Sequence, residues 1–416
     1  MLIHWIWLAT RPSIQDRVKA ELIRIFQDPE AVFYADADSF QEIEGLSPEG
    51  KAALADKNLR PAEQILAACD RENLRILTYQ DAAYPRRLQN ISDPPLVFYY
   101  KGRLPDFDGQ PLIGVVGTRS ATPYGLGVAK RMGYQIAKCG GIVVSGMAYG
   151  IDGMAMRGAL TAGASVVGVL GCGADIVYPL SNKSLFEDME RYGCILSEFP
   201  PGTPPMKQNF PKRNRIISGL SCGVLVVEAP EKSGALITAH QAADQGRDVF
   251  VVPGNIDVPT CVGSNRLMRD GAIPVSTGWD IMSEYEAQFP DKIHRETAPA
   301  TQACYGDEVP APVEKKPLKV AQKPRILGKK LIPKQNVDKK VIDKRENSPY
   351  IDLNEKRPDL SAEESAIVAA IGSGEKLVDD VIAQAELPAG KVLATLTMLE
   401  VKGVVKRLPG RHVALK

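Results

Sequence analysis

Residues 111–146 decide the fold, and they read "PLIGVVGTRSATPYGLGVAKRMGYQIAKCGGIVVSG". An apolar run opens this stretch, a segment with apolar residues at three-to-four spacing follows, and a second apolar run closes it. Such spacing indicates a helix, and continuous apolar runs are typical of strands buried on both faces of a parallel sheet. The stretch therefore predicts a strand, a helix and a second strand in succession.

The same alternation extends to residue 284. Further strand-like runs are "SVVGVLG", "CILSEF", "CGVLVVEA" and "DVFVVPG", and segments with helical spacing separate them. Alternating strands and helices form α/β folds with helices on both faces of the sheet. We therefore expect residues 76–284 to form an α/β domain with a doubly wound, extended Rossmann-like parallel sheet. Its lead-in segment, "TYQDAAYPRRLQNISDPPLVFYYKG", contains prolines that predict irregular structure.

Three further segments flank this domain. Residues 1–75 show helical spacing and predict a helical domain, in which "EIEGLSPEGKAAL" fits a helix-hairpin-helix (SAM-like) motif or an ordinary turn between helices. Residues 285–359 are rich in Pro and Lys and predict a basic, disordered linker. Residues 360–416 predict three helices and a hairpin that turns at Pro409-Gly410, which together make a winged-helix domain.

The overall composition excludes several classes of protein. The chain has 416 residues and a formal net charge of +1, so a polyanion site has to come from local clustering of cations. Its seven cysteines form no CxxC pair and predict buried thiols in a reducing compartment. No apolar run approaches the roughly 18 residues that span a bilayer, and the start "MLIHWIWLATRP" lacks the basic leader of a signal peptide. We therefore expect a cytoplasmic protein.

The motifs of common nucleotide enzymes are absent from the sequence. The glycines after the first strand lack GxGxxG spacing, and the second strand ends in Ser145-Gly146 rather than in the acidic residue that binds a ribose. No GxxxxGK[ST] loop and no metal-ligand spacing occurs in it. Sequence alone does not pair Glu228 with His240 as a catalytic couple. We therefore expect no cofactor, no metal and no catalytic residue.

The carboxyl ends of the predicted strands carry small and polar residues. Gly117 and Arg119 follow the first strand, and Ser145 and Gly146 end the second. Ligands of doubly wound sheets bind at this edge, where helix N-termini present free N–H groups. The guanidinium of Arg119 suits phosphate oxygens, and its alternative role is a structural ion pair. This edge is therefore a candidate anion site.

Cations concentrate around a single aromatic residue in "KQNFPKRNR", before a helix that we expect to start near Arg213. The cations are Lys207, Lys212, Arg213 and Arg215, and the aromatic residue is Phe210. Cations hold the phosphates of single-stranded nucleic acid, while a ring stacks on a base, which contributes on the order of 1–3 kcal/mol. Alternatively, Phe210 packs in the core and the cations are solvated. The pattern favours a binding site for single-stranded nucleic acid.

Several blocks of this sequence together resemble the DNA processing protein A (DprA, also called Smf) family. They are "YPRRLQNISDPPLVFYYKG", "GVVGTRSATPYG", "VVSGMAYGIDGMAMRGAL", "FPKRNRIISGLSCGVLVVEAPEKSGALITAHQAADQGRDVFVVPG" and "GSNRLMRDGA". The resemblance implies a protein without enzymatic activity that binds single-stranded DNA, protects incoming strands and loads the RecA recombinase onto them during natural transformation. It also implies a homodimer that forms through the sheet domain.

The resemblance also implies site residues at positions that match the family's motifs. It implies a DNA pocket lined by Arg119, Lys207, Phe210, Arg213 and Asn214, with phosphate contacts from Ser145 and Gly146.

Alternatives stay open at this point. The sheet also resembles the nucleotide-binding fold of lysine-decarboxylase-like phosphoribohydrolases, but "EAPEKSGALITAH" replaces their "PGGxGTxxE" loop and its catalytic glutamate. A third interpretation is a scaffold that recruits partners. In the winged helix, Lys391 is the one cation of the third helix before Glu400, whereas the tip carries Lys406, Arg407, Arg411 and His412. Duplex binding and partner binding both fit this pattern.

Overall fold

The computed structural model describes residues 1–295 and 361–416, except positions 373, 386, 388, 403, 409–411 and 416. The chain divides into two compact units, Met1–Lys319 and Val320–Lys416. Residues 296–359 of the predicted linker lie outside the described residues, and so does the predicted turn at Pro409-Gly410.

Helices form the segment that precedes the sheet. They are α1 (Leu2–Ala9), α2 (Asp16–Phe26), α3 (Pro29–Tyr34), a 3-10 turn (Ala37–Phe40), α4 (Pro48–Ala55) and α5 (Arg60–Arg71). The side chains of Asp28 and Ser47 cap α3 and α4 by accepting hydrogen bonds from backbone N–H groups, and a proline opens each of these helices. The predicted helical character of this segment is confirmed, whereas the helix-hairpin-helix motif stays a prediction.

A nine-stranded sheet follows. Its strands are β1 (Arg75–Thr78), β2 (Val97–Gly102), β3 (Leu112–Val116), β4 (Ile142–Ser145), β5 (Val166–Val169), β6 (Cys194–Ser197), β7 (Gly223–Val226), β8 (Asp248–Val251) and β9 (Ile273–Pro274). Their order across the sheet is β1-β2-β6-β5-β4-β3-β7-β8-β9. The pairs β1-β2 and β2-β6 are antiparallel, and the other pairs are parallel. The predicted doubly wound sheet is confirmed.

The lead-in segment is more regular than its prolines predict. It begins at the last residue of β1 and supplies a short helix α6 (Arg86–Gln89) and β2. The strands β1 and β2 extend the sheet at one side. Pro94 and Pro95 lie before β2 and remove no donor from its ladder. The hydroxyl of Tyr84 donates a hydrogen bond to the Pro95 carbonyl at 2.7 Å. The prolines therefore position the strand instead of interrupting it.

Helices cover both faces of the sheet. They are α7 (Pro123–Lys138), α8 (Ile151–Thr161), α9 (Lys183–Tyr192), α10 (Asn209–Leu220), α11 (Gly234–Asp244), α12 (Val262–Arg269) and α13 (Gly278–Met282), with 3-10 turns at Leu180–Asn182, Pro259–Cys261 and Ser283–Tyr285. α7 and α8 pack closely because Gly133 and Gly158 lack side chains. A Cβ at either position would lie 2.0 Å from a backbone oxygen of the facing helix.

The core lies on both sides of the sheet. Along β3, Ile113 and Val115 belong to one apolar cluster, and Leu112 and Val116 belong to another. Successive residues of a strand point to opposite faces, so both faces of β3 are covered. The first cluster also includes Trp7 of α1, and one core therefore crosses the predicted domain boundary at residue 75. The predicted boundaries at 75 and 284 stay predictions.

The C-terminal unit is a winged helix, as predicted. Its elements are α14 (Ala362–Ile371), β10 (Lys376–Leu377), α15 (Val378–Gln384), α16 (Ala389–Val401), β11 (Val405–Leu408) and β12 (His412–Leu415), and the strands pair in the order β10-β12-β11. Ser361 and Glu364 form a capping box at the start of α14. Lys402 then binds the Glu364 carboxylate at 2.7 Å and ties the end of α16 to α14.

Candidate functional site

A cleft of about 640 Å³ lies at the carboxyl ends of β3 and β7. These strands are neighbours, but β3 has β4 on its other side and β7 has β8. The chain therefore reverses its direction of winding between them, and such switch points are where open α/β sheets bind ligands. The cleft walls are the turn after β3, the first turns of α10 and the loop before α11.

One face of α10 forms a wall of this cleft. Phe210, Arg213, Asn214 and Ile217 all line it, and their spacing of three and four residues puts them on the same side of a helix. α10 begins at Asn209 rather than near Arg213 as we predicted from the sequence. Most of the cationic stretch is therefore helical, and helical geometry decides which cations face the cleft.

The ring of Phe210 is half-buried at the border of the cleft. It packs against Tyr178, with ring centroids 5.6 Å apart, and against Gly171. A Cβ at position 171 would lie 2.9 Å from a ring carbon, so Gly171 leaves the space that the ring occupies. The guanidinium carbon of Arg119 lies 4.9 Å from the ring centroid. Phe210 thus has both a packing contact and a position in the cleft wall.

Three exposed cations border the cleft. Arg119 extends from the turn after β3, Lys207 precedes α10, and Lys232 precedes α11. Ser233 caps α11 by accepting a hydrogen bond from the N–H of Ala235, so the positive end of that helix dipole also lies at the cleft. The result is a cationic surface around the paired rings of Phe210 and Tyr178.

Arg213 lines the cleft but is buried and held by the protein. Its guanidinium donates to the carbonyl oxygens of Gly146, at 3.0 Å, and of Val169, and to the side-chain oxygen of Asn214 at 3.2 Å. Burial lowers the pKa of Arg213 to about 10, although the Asp152 carboxylate opposes this shift. The guanidinium stays protonated at neutral pH. Arg213 therefore supplies fixed positive charge beneath the cleft.

Ser145 and Gly146 require a correction. Ser145 is fully buried, and its hydroxyl donates to the Val115 carbonyl at 2.6 Å. The N–H of Gly146 donates to the Asp152 carboxylate at 3.1 Å. Since both groups are already bonded inside the protein, we remove them from the candidate phosphate contacts. Gly117 does line the cleft, where a Cβ would lie 2.4 Å from the side chain of Ile151.

Lys212 and Arg215 also require a correction, because they lie on the other side of α10. The buried Arg215 guanidinium binds Glu198 at 2.8 Å, Asp93 at 2.8 Å and Asp16 at 3.2 Å. Lys212 binds Asp16 at 2.7 Å. Burial by itself lowers the pKa of Lys212. The nearby Glu198 and Asp16 carboxylates have the larger, opposite effect, so the pKa of Lys212 lies above its ordinary value. We therefore assign both cations to a structural ion network.

Sequence reasoning missed Lys232 and Tyr178. Lys232 directly precedes Ser233-Gly234, a turn that follows the strand-like run "CGVLVVEA", so its position could have been predicted. Asn214 connects the two walls there, because its amide donates to the Gly234 carbonyl at 3.3 Å. Tyr178 follows no strand directly, and only the folded structure brings it to Phe210.

Glu228 has a structural role at the start of α7. Its buried carboxylate accepts hydrogen bonds from the Thr122 N–H at 3.0 Å, from the Thr122 hydroxyl, and from the Thr260 hydroxyl at 3.1 Å. His240, by contrast, is exposed. Within residues 1–295 and the described part of 361–416, no group of three His, Cys, Asp or Glu is arranged to hold a metal. None of the helices there is long and apolar enough to cross a membrane.

The fold and the cleft define a class: a doubly wound α/β protein with a cleft of cationic and aromatic residues at its switch point and a winged helix in the same chain. Sequence comparison then identifies the family. The profile of DNA recombination-mediator protein A matches residues 75–286, and that of the DprA winged helix domain matches residues 353–411. The chain belongs to this DprA/Smf family, whose members act in DNA processing and recombination.

Individual relatives agree with this result. The chain is 36% identical over 356 residues to Protein Smf of Synechocystis sp., covering 85% of this chain and 83% of the relative. It is 42% identical over 221 residues to DNA processing protein DprA of Bacillus subtilis, covering 53% and 74%. The X-ray structure of DNA processing protein A from Streptococcus pneumoniae superimposes with a TM-score of 0.60 at 31% identity, covering 68% of this chain and 98% of that one.

Proposed function

We propose that this protein binds single-stranded DNA in the cleft at the switch point of its sheet. The main support for this proposal is that the Arg119 guanidinium lies over the Phe210 ring, and that both residues line a cationic cleft. Cations beside an aromatic ring suit single strands, because phosphates pair with the cations while an unpaired base stacks on the ring. On binding, a base takes the place over Phe210, and Arg119 turns to a phosphate.

The recessed position of Phe210 favours a single strand over a duplex. Inside a duplex, the neighbouring base pairs cover both faces of each base, and a ring at the border of a cleft cannot reach between them without unstacking the helix at a cost of a few kcal/mol. A base of a single strand enters the cleft at a much smaller cost. The proposed preference for single strands follows from this difference.

The charges around the cleft support a polyanionic ligand. Arg119, Lys207 and Lys232 are exposed at its border, and among the described residues that line it the one carboxylate is Asp152. Asp152 is buried and faces the charge of Arg213. The three exposed cations are therefore available to phosphates, and the short-range field of the cleft is positive even though the whole chain is nearly neutral.

We further propose that the protein protects incoming single strands and loads the RecA recombinase onto them, in the cytoplasm and as a homodimer through the sheet. Membership of the DNA recombination-mediator family supports this wider role. We also propose that the cleft catalyses no reaction. Glu228, which opens the stretch that replaces the phosphoribohydrolase motif, has its carboxylate engaged by Thr122 and Thr260.

The proposal is tested by fluorescence anisotropy of a labelled single-stranded oligonucleotide and of its duplex at several salt concentrations. We expect wild-type protein to prefer the single strand. An Arg119→Ala/Lys207→Ala variant should bind all sequences more weakly. The plot of log K against log salt should become less steep, with the magnitude of its slope reduced by about 1.4, because each phosphate contact of a single strand contributes about 0.7.

An Arg103→Ala/Arg191→Ala variant is the matched control. Both arginines are exposed and lie near the amino end of β6, whereas the cleft lies at the carboxyl ends of the parallel strands. This variant should keep wild-type affinity and salt slope. Equal binding of single strand and duplex, or the same loss in both variants, would contradict the proposed site.

A further inference from the structure

A second cleft of about 440 Å³ borders Arg119. Its walls include Ser120, Tyr149, Arg157 and Asn182. The sequence pattern identified none of these four residues as a candidate ligand contact. Arg119 lines both clefts. A small space of about 10 Å³, lined by both Tyr149 and Phe210, lies between them. The two clefts are therefore neighbouring parts of one surface depression.

Tyr149 is an exposed ring on a backbone that is held firmly. Its side chain is 46% exposed. On one side, Gly150 has a φ of +75° and packs so closely on the turn after β3 that a Cβ would lie 2.4 Å from the Thr118 carbonyl. On the other side, the Asn182 amide donates to the carbonyls of Met147 and Ala148 at 3.0 and 3.2 Å. The ring is thus presented to solvent from a pre-organised loop.

The charge of the second cleft also suits a nucleic acid. Arg119 and Arg157 line it, and no carboxylate does within the described parts of the chain. Arg157 is anchored at one nitrogen, since its Nη2 donates to the Ser184 hydroxyl at 2.9 Å on an exposed surface. A guanidinium has five N–H donors, so Arg157 keeps others for a phosphate. Like the first cleft, the second therefore combines an aromatic ring with neighbouring cations.

We propose that the second cleft is a second subsite for the same single strand, in which Tyr149 stacks on a base and Arg157 holds a phosphate. The inference rests on the proposed function of the first cleft. The strand runs from Phe210 across Arg119 to Tyr149, and Arg119 contacts the phosphate between the two stacked bases. A strand too short to reach Tyr149 uses the first cleft alone.

The test is a length series of oligothymidylates of about four, eight and twelve nucleotides, the range of site sizes of small single-strand binding domains. Tyr149→Ala should weaken binding of the longer strands about tenfold, the effect of losing one stacked base, without changing the salt slope. It should leave the shortest strand almost unaffected. Tyr149→Phe, which keeps the ring, should bind like wild type. Arg157→Ala should lower the salt slope for the longer strands by about 0.7.

Tyr124→Ala is the control, because Tyr124 is an exposed tyrosine of α7 that lines neither cleft. It should bind every length like wild type. Wild-type behaviour of both Tyr149→Ala and Arg157→Ala at every length would overturn the second subsite while leaving the first intact. An equal loss at all lengths would also overturn it, because Tyr149 would then share the subsite of Phe210. If the wild-type protein bound no strand of any length, the proposed function of the first cleft would be contradicted as well.

Discussion

Phe210 combines two roles that are often separate in proteins. Tyr178 and Gly171 hold its ring from the protein side, while the ring still lines the cleft under the Arg119 guanidinium. A ring whose position is already defined loses little conformational entropy when a base stacks on it. The packing of Phe210 therefore supports its proposed contact with DNA.

Phe210→Ala should weaken binding of single-stranded DNA by roughly tenfold, because a stacked base contributes on the order of 1–3 kcal/mol. The salt slope should stay near the wild-type value, since no phosphate contact is lost. Anisotropy titrations at several salt concentrations measure both quantities. Phe210→Leu separates packing from stacking, because leucine fills much of the space without offering an aromatic face. Wild-type affinity of Phe210→Ala would assign the ring to packing alone.

At the scale of the element, α10 separates the cations of one short stretch by their position around the helix. Arg213 and Asn214 share the cleft face with Phe210, whereas Lys212 and Arg215 meet carboxylates on the opposite side. The sequence predicts that these cations cluster, but the start of the helix decides which of them meet a ligand. With the helix beginning at Asn209, the three-to-four spacing from Phe210 selects the cleft face.

Arg215→Met should lower the free energy of unfolding by about 3 kcal/mol. The Arg215 side chain is 4% exposed and Glu198 is 6% exposed, so the substitution leaves a buried carboxylate without its main partner. Urea denaturation measures the loss. Lys212→Met is the control, because its side chain is 44% exposed and should contribute less than about 1 kcal/mol.

The same two variants test whether Lys212 and Arg215 lie outside the proposed DNA site. Since neither Lys212 nor Arg215 lines the cleft, both variants should keep the salt slope of single-strand binding when they are folded. A salt slope whose magnitude is smaller by about 0.7 in Lys212→Met would show that this lysine contacts a phosphate after all.

At the scale of the whole molecule, the ion network joins the N-terminal helices to the sheet. Asp16 belongs to α2, Glu198 follows β6, and Arg215 and Lys212 belong to α10, whose other face lines the cleft. Together with the shared apolar core, these contacts hold α2 against the element that carries Phe210. The N-terminal segment therefore supports the position of the candidate site.

The ion network between α2 and α10 should weaken in acid. Burial raises the pKa of Asp16, but Lys19, Lys212 and Arg215 outweigh burial and lower it below its ordinary value. A carboxyl with a lowered pKa in the folded state stabilises the protein above its unfolded pKa of about 4. That stabilisation is lost as the pH falls through the folded pKa. Urea midpoints between about pH 6 and 3 should therefore fall more steeply for wild type than for Asp16→Asn, and parallel curves would contradict this account.

The fold class, the winged helix and the edge of the sheet where the cleft lies could all be predicted from the sequence. These features depend on local apolar periodicity and on the rule that ligands meet the carboxyl ends of parallel strands, both of which are legible in a single chain. The position of Arg119 and Lys207 at this edge could be predicted for the same reason, since Arg119 follows a strand end and Lys207 precedes a helix there. Phe210 could be predicted because it stands among the cations of the same stretch.

The partners of each polar group depend on tertiary contacts that the sequence does not reveal. Ser145 and Arg215 have the chemistry of phosphate ligands, but Val115 accepts the hydrogen bond of the first and three carboxylates bind the second. Tyr178 and Tyr149 reach the clefts through loops whose course no periodicity predicts. Residue type and spacing limit what a side chain is able to bind, but its actual partners come from distant parts of the chain and exist only once the chain is folded.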